Sequence, residues 1–431
     1  MVQDLSSYHS GTRKVDYSKH ISKAGKARKE PDLDSLVPYL VRKDYISLGA
    51  GQPSSVICPV ESMSVKLKSG KTIDLDGELL SECLSYGSSA GLPCLRNWVH
   101  ELQVREHKPP VDFDVIIGSG SQDLLTKAID ALVDNGDAVL VDNPTFPGML
   151  GFLDSLNCDV VGVKTDEFGI VPEYLEQLLD QWPETNPQKR RPHCLYTVPT
   201  GGNPTGATTS LSRKKEIYQI CSKYDIIIIE DDAYYYIQYL DQNRVPSFFS
   251  MDVDGRVLRT DTISKIMAPG FRIGWLSGPK ELLRCISVHT VLTLVQPSGI
   301  GQGVVYSILA KWGYEGFFQH VQYVSRIFRQ RRDDFIDCLE RHMKGKAEWF
   351  VPTSGMFVWL KLLGGVKDSN DLIMTKLLKE KVVAVPGMGF MPHKDKTEYV
   401  RVSYSNATKE DMDEALRRFA LVINEEIRCS S

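Results

Sequence analysis

The chain has 431 residues, and its 51 Lys and Arg nearly balance 55 Asp and Glu, for a formal net charge of −4. That balance leaves no basic field for nucleic acid, and a mean hydropathy of −0.21 with no long apolar run argues against a membrane span. Nine scattered cysteines without a C-x-x-C spacing fit a reducing compartment and match neither a zinc nor an iron–sulfur site.

Taken in chain order, residues 1–30 read as a polar, solvated N-terminal arm. Its 13–29 stretch is rich in Lys and Arg, but Asp4 and Asp16 interrupt the arm, which weighs against a transit peptide and for the cytoplasm over the mitochondrion. Residues 45–53 suggest a short strand entering a Gly/Pro loop around Ala50. Leu95, Trp98, Val99 and Leu102 recur at helical spacing across 93–107. A strand over 114–117 then leads into Gly118-Ser-Gly-Ser-Gln-Asp and a helix over 122–133. Amides and hydroxyls at such a junction make a phosphate cradle. It is not a Walker loop, since no G-K-[ST] follows, and Leu124 occupies the third Gly position of G-x-G-x-x-G.

Strands are expected at 138–141, 159–163 and 194–198, alternating with helices near 148–156, 172–182 and 212–224. After 194–198 comes Pro-Thr-Gly-Gly-Asn-Pro-Thr-Gly (199–206), a loop presenting one fixed polar side chain, Asn203. Residues 226–229 are four isoleucines, the mark of a strand buried on both faces. Asp231 lies just beyond it, where a carboxylate needs a partner. It is either a helix cap or a counter-ion for a ligand cation. Strands at 256–262 and 272–276 flank Lys265, which has Thr262 and Ser264 beside it and Arg272 seven residues on. A second cation and partial burial disfavour an ammonium, leaving an amine free to form a Schiff base.

Alternating strands and helices imply an α/β fold, a mostly parallel sheet of the seven-stranded type flanked by helices, with ligands at the carboxyl ends of the strands. A long helix over 317–341 and short strands near 356–361 and 399–404 suggest a smaller α+β domain. The expected division is an arm (1–30), a segment joining the small domain (31–60), a large domain (61–310) and a small domain (311–431).

A phosphate cradle, an acid for a ring nitrogen, a rigid Asn and an amine-bearing Lys are the parts of a pyridoxal-phosphate site. With them, Leu84-Ser-Tyr-Gly-Ser-Ser-Ala-Gly-Leu-Pro, Arg213-Lys-Lys-Glu-Ile-Tyr and Ser250-Met-Asp-Val-Asp-Gly-Arg make the chain resemble fold-type I, class I pyridoxal-phosphate aminotransferases. The branch it resembles most holds the kynurenine/α-aminoadipate and fungal aromatic enzymes. The resemblance implies that Lys265 bonds the cofactor and moves the substrate proton, and that Asp231 pairs with the pyridine nitrogen. It further implies that Asn203 and Tyr234 bind the phenolic oxygen, and that Ser121, Gln122, Thr262, Ser264 and Arg272 hold the phosphate. Phe146 stacks on the ring where many relatives have Tyr. Tyr86 reaches the neighbouring subunit's phosphate, implying a homodimer, and Arg401 grips the substrate α-carboxylate.

Ala50 stands where close relatives carry Gly, implying a tighter substrate pocket. Asp34 falls near an arm position where some relatives carry Arg, and Arg28 aligns with a different arm arginine. The implied reaction moves an amino group from an aromatic or 2-aminoadipate-type amino acid to 2-oxoglutarate. A C–S β-lyase on the same residues is the alternative. A regulatory protein would need an N-terminal DNA-binding module, and too few residues precede the resemblance to build one.

Overall fold

The structure, a computed structural model, describes residues 14–31, 39, 42, 44–46, 48–49, 51–240 and 243–430, apart from the side chains of Ser55, Cys429 and Ser430. A short ribbon, β1 (Met63–Lys66) with β2 (Thr72–Leu75), precedes the main sheet. That sheet comprises β3 (Asp114–Gly118), β4 (Ala138–Asn143), β5 (Asp159–Asp166), β6 (Gly169–Ile170), β7 (Cys194–Thr197), β8 (Ile227–Asp231), β9 (Val257–Thr262) and β10 (Gly274–Gly278). Its order is β3-β10-β9-β8-β7-β4-β5-β6. The pairs joining β9, β8, β7, β4 and β5 are parallel, β10 runs against both its neighbours, and two-residue β6 folds back on β5.

The central strands are legible as short apolar runs because they are buried on both faces. All five residues of β8 are buried, with Ile227, Ile228 and Ile229 at 0% exposure. Strand β10 starts at Gly274 rather than at Arg272. Arg272 adopts φ 53°, ψ 45°, a left-handed conformation that cannot continue an extended ladder.

Two expectations are corrected. The arm is not solvated throughout: from Val15 onward it is docked on the large unit. Tyr17 is buried and donates its hydroxyl to Gly255 O (2.8 Å), and Ser22 donates to Asp130 O (2.7 Å). Arg28 pairs with Asp130 near the C-terminal end of the helix Ser121–Leu132. At 1.5 Å per residue that is about 14 Å from the helix start, so this arginine is engaged well away from the strand-end loops. No strand forms among the described residues of 45–53, where Ile46 and Leu48 are 96% and 99% exposed and no neighbouring strand takes their backbone groups. Asp34, Ala50 and much of 31–50 lie outside the described residues.

The helix Gly299–His342 bridges the molecule. It breaks at Gly313 (φ 62°), the only residue type to which that conformation costs little. Before the break, Gly299 and Gly303 approach the Cys83 backbone and Sγ too closely for a side chain. Beyond it, Arg331 donates to Tyr404 O (2.9 Å) of the small sheet unit. That small sheet is antiparallel, with β11 (Ala347–Glu348), β12 (Phe357–Leu362), β13 (Val385–Pro386) and β14 (Tyr399–Ser403) in the order β11-β12-β14-β13. The helix Lys409–Ser430 buries Met412, Leu416, Phe419 and Ile423 at helical spacing. The eight described cysteines are free thiols. Among the described residues no helix is long and apolar enough to cross a membrane.

Candidate active site

Strand direction decides what meets at the sheet's carboxyl edge. The loops after β3, β4, β7, β8 and β9 all emerge there. Because β10 is reversed, the chain just before it lies at the same edge. Gly274 is paired with Gly118 on one side and Thr262 on the other. This brings Arg272 beside both the Gly118–Gly120 loop and the Thr262–Lys265 turn.

The cradle is tight. Gly120 caps the helix Ser121–Leu132 at φ +91° and offers no side-chain cap, so the first-turn amides remain available. A Cβ on Gly120 would overlap the Arg272 guanidinium, and one on Gly274 would lie 2.7 Å from Ser121 N. Arg272 is held by donation to Ser119 O (3.1 Å) and Pro269 O (3.2 Å). Thr262 donates to Ser264 Oγ (2.8 Å) and its Oγ1 accepts from Ser264 N (3.1 Å), fixing the turn that carries Lys265. Gln122 reaches toward the Phe146 loop by donating to Gly148 O (3.4 Å), and the Phe146 ring rests against Gly148.

Lys265 is half-buried, and its amine makes no hydrogen bond among the described residues. Burial lowers its pKa from the ordinary lysine value; Asp231 opposes that shift, while Arg272 and Arg401 reinforce it. Asp231 is buried at the end of β8, and desolvation pushes its carboxyl up to about 6. Its Oδ2 accepts from the Tyr196 hydroxyl at 2.7 Å and its Oδ1 from Thr260 at 3.3 Å.

Asn203 accepts from Arg401 Nη1 at 2.9 Å, and the Tyr234 phenol is buried, with its pKa driven upward chiefly by desolvation. Arg401, on β14, thereby joins the small sheet to the loop after β7. Its guanidinium lies 4.3 Å from the Phe357 ring centre and 5.0 Å from that of Phe390, and its Nε is buried without a partner. The loops interlock where Gly201 (φ +57°) meets Gly355 (φ +79°): a Cβ on Gly201 would sit 2.7 Å from the Gly355 backbone.

The structure therefore assembles Ser121, Gln122, Phe146, Asn203, Asp231, Tyr234, Thr262, Ser264, Lys265, Arg272 and Arg401 from both sheets. Tyr86 stands on the surface, 68% exposed. Sequence reasoning missed three features. Tyr196 and Thr260 bond Asp231, Phe390 covers Arg401, and the buried Asp142 accepts from Val198 N (2.9 Å) beneath the Asn203 loop. The available signal for Tyr196 was a phenol inside an otherwise apolar buried strand.

The family model for aminotransferase class I and II matches residues 43–419. The chain is 39% identical to the mouse (Mus musculus) mitochondrial kynurenine/alpha-aminoadipate aminotransferase over 427 residues, covering 96% of this chain and 100% of that one. Its fold matches the crystal structure of the aromatic aminotransferase Aro9 from C. albicans with a TM-score of 0.87 at 28% identity, covering 96% and 99% of the two chains. It also matches LysN, the alpha-aminoadipate aminotransferase of Thermus thermophilus complexed with N-(5'-phosphopyridoxyl)-L-leucine. There the TM-score is 0.73 at 25% identity, covering 82% and 86%.

The residues present fit a phosphopyridoxyl group. The cradle that a Cβ would fill suits a phosphate, the buried carboxylate suits a ring cation, and the unpartnered Arg401 Nε suits a carboxylate. Gly120→Ala adds a methyl group at a positive φ, directly onto Arg272. It is expected to weaken pyridoxal-phosphate affinity about 10- to 100-fold, measured by equilibrium dialysis. Unchanged affinity would contradict this cradle.

Proposed function

The chain belongs to the aminotransferase class I and II family, and on that premise we propose that it transfers the amino group of an aromatic or 2-aminoadipate-type amino acid to 2-oxoglutarate. It is a pyridoxal-phosphate-dependent transaminase. The observation that carries the assignment is a half-buried lysine amine set electrostatically between the Asp231 carboxylate and the Arg272 and Arg401 cations. Each of the two arginine charges can take one anion.

We assign the roles accordingly. Ser121, Gln122, Thr262, Ser264 and Arg272 hold the cofactor phosphate, and Asp231 holds the proton on the ring nitrogen. Asn203 and Tyr234 orient the ring's oxygen, and Phe146 covers its face. When bound, pyridoxal phosphate supplies an electron sink for the pair left when the substrate Cα–H bond breaks. Lys265 would hold the cofactor and, with its amine free, would take the proton from the substrate Cα. Its lowered pKa favours the neutral, proton-accepting amine. Arg401 grips the α-carboxylate, which fixes Cα relative to Lys265.

The names of the relatives support the aromatic and 2-aminoadipate substrate classes. The exposed Tyr86 supports a contribution to a second subunit's site, and free cysteines support a reducing compartment. A donor panel of Tyr, Phe, Trp, kynurenine, 2-aminoadipate, Leu and Val against 2-oxoglutarate tests the substrate class. Aromatic donors and 2-aminoadipate are expected to exceed the others by tenfold or more in kcat/KM, about what one or two pocket contacts discriminate. A flat response, or release of pyruvate and ammonia without a keto acid, would overturn it.

A further inference from the structure

We infer that Tyr196 is a positioning residue for the cofactor, acting through Asp231 by holding that carboxylate ionised and aimed at the ring nitrogen. This rests on the assignment of Asp231 made above. Tyr196 and Asp231 come from different strands, and sheet register alone makes them meet. On the parallel β7–β8 pair, Tyr196 stands opposite Ile229, two residues before Asp231. Residues two apart share a face, so the phenol leans along the sheet toward the carboxylate. The hydroxyl donates to Oδ2 at 2.7 Å, while the other carboxylate oxygen has the longer Thr260 contact at 3.3 Å.

Tyr196 has 0% exposure and Asp231 7%, so water is a poor substitute for this bond. A phenol so buried has its pKa driven upward, chiefly by desolvation and then by the adjacent Asp231 charge, so it remains a donor across the working pH range. One donor on each carboxylate oxygen leaves lone pairs free for an incoming N–H cation. The bond costs the cofactor no contact and supplies what burial takes away. Without it, an acid already displaced upward by desolvation moves further up and loses its charge nearer neutrality.

The groups facing Asp231 are Tyr196 on β7, Thr260 on β9, Asp142 on β4, its neighbour Asp232, Tyr234 and Lys265. Of these, Asp142 and Asp232 disfavour the charge and Lys265 favours it. Tyr196 is the only one of them with a hydrogen bond to Asp231 under 3 Å.

The test compares cofactor binding and pH dependence in full-length protein. Tyr196→Phe is expected to weaken pyridoxal-phosphate affinity about tenfold or more, the loss typical of a buried hydrogen bond to a charged group. The sign follows from the donor's effect. The bond favours the carboxylate, so its loss raises the Asp231 pKa, and the fall in affinity on acidification begins at higher pH than in wild type. Thr260→Val should give the same change to a smaller degree. Combined with Asp231→Asn, Tyr196→Phe should add nothing to the loss of affinity.

Wild-type affinity and pH profile in Tyr196→Phe, alongside a damaged Asp231→Asn, would overturn the role of Tyr196 alone. Wild-type cofactor binding and turnover in Asp231→Asn would overturn the underlying site assignment. Equal losses in Tyr196→Phe and Thr260→Val, with matching drops in apo-protein melting temperature, would mark general destabilisation and overturn the inference.

Discussion

Lys265→Ala is expected to abolish measurable transamination while pyridoxal phosphate still binds non-covalently. Removing a positioned general base costs about 10²–10⁴-fold, and the loss of the covalent anchor adds to it. Nothing nearby substitutes. Among the described residues, the charged groups acting on this amine are Asp231, Arg272 and Arg401. Two of these are cations that cannot accept the proton, and Asp231 is already hydrogen-bonded to Tyr196 and Thr260. The cradle does not involve the lysine side chain, so the phosphate contacts persist. The experiment is single-turnover absorbance of the variant with pyridoxal phosphate and excess donor. Turnover like that of the wild type would sink the assignment. Added methylamine is a further check, because an external amine restores proton transfer without restoring the anchor.

Arg401→Ala is expected to carry the second-largest effect, and it acts on substrate selection. The guanidinium lies against the Phe357 and Phe390 rings, gives one N–H to Asn203, and keeps a buried Nε unpartnered. Burial lowers its pKa, so the cation is held at a cost that an incoming carboxylate relieves. Removing one partner of such a pair costs about 2–5 kcal/mol, or roughly 30- to 4,000-fold in kcat/KM at 1.4 kcal/mol per decade. Arg401→Lys keeps the charge but not the planar fork, and recovers only part of the loss. The discriminating measurement is the ratio of kcat/KM for an amino acid to that for its primary amide. It should collapse toward unity in Arg401→Ala, and retention of the wild-type ratio would remove the role.

Most of the site was legible because its residues follow buried strands, and burial leaves a local signature. The four isoleucines at 226–229 announce a strand, and Asp231 stands out against them. Asn203 and Lys265 are legible for the same reason. What was not legible depends on register and on the second sheet. Nothing local to Tyr196 says that it faces Asp231, since that requires knowing that β7 lies beside β8 in the observed alignment. The Phe390–Arg401 contact requires the loop after β13 to fold over β14. The arm misled in the opposite way. Its Lys and Arg content reads as solvation, yet Val15, Tyr17 and Gly25 are buried and Arg28 is neutralised by Asp130, a partner over a hundred residues away.

The reversed strand β10 sets a rule for tolerated changes of chain length. Gly274 is the last rung joining two ladders, to Gly118 and to Thr262, and Arg272 sits two residues upstream. One inserted or deleted residue between Lys265 and Gly274 would either displace the arginine or slip β10 by one position. A slip would turn Trp275 and Leu276 to opposite faces. Surface loops elsewhere absorb insertions at little cost. Length polymorphism among natural variants should therefore be absent from 265–274 and common in loops remote from the carboxyl edge, so that this segment serves as the molecule's ruler.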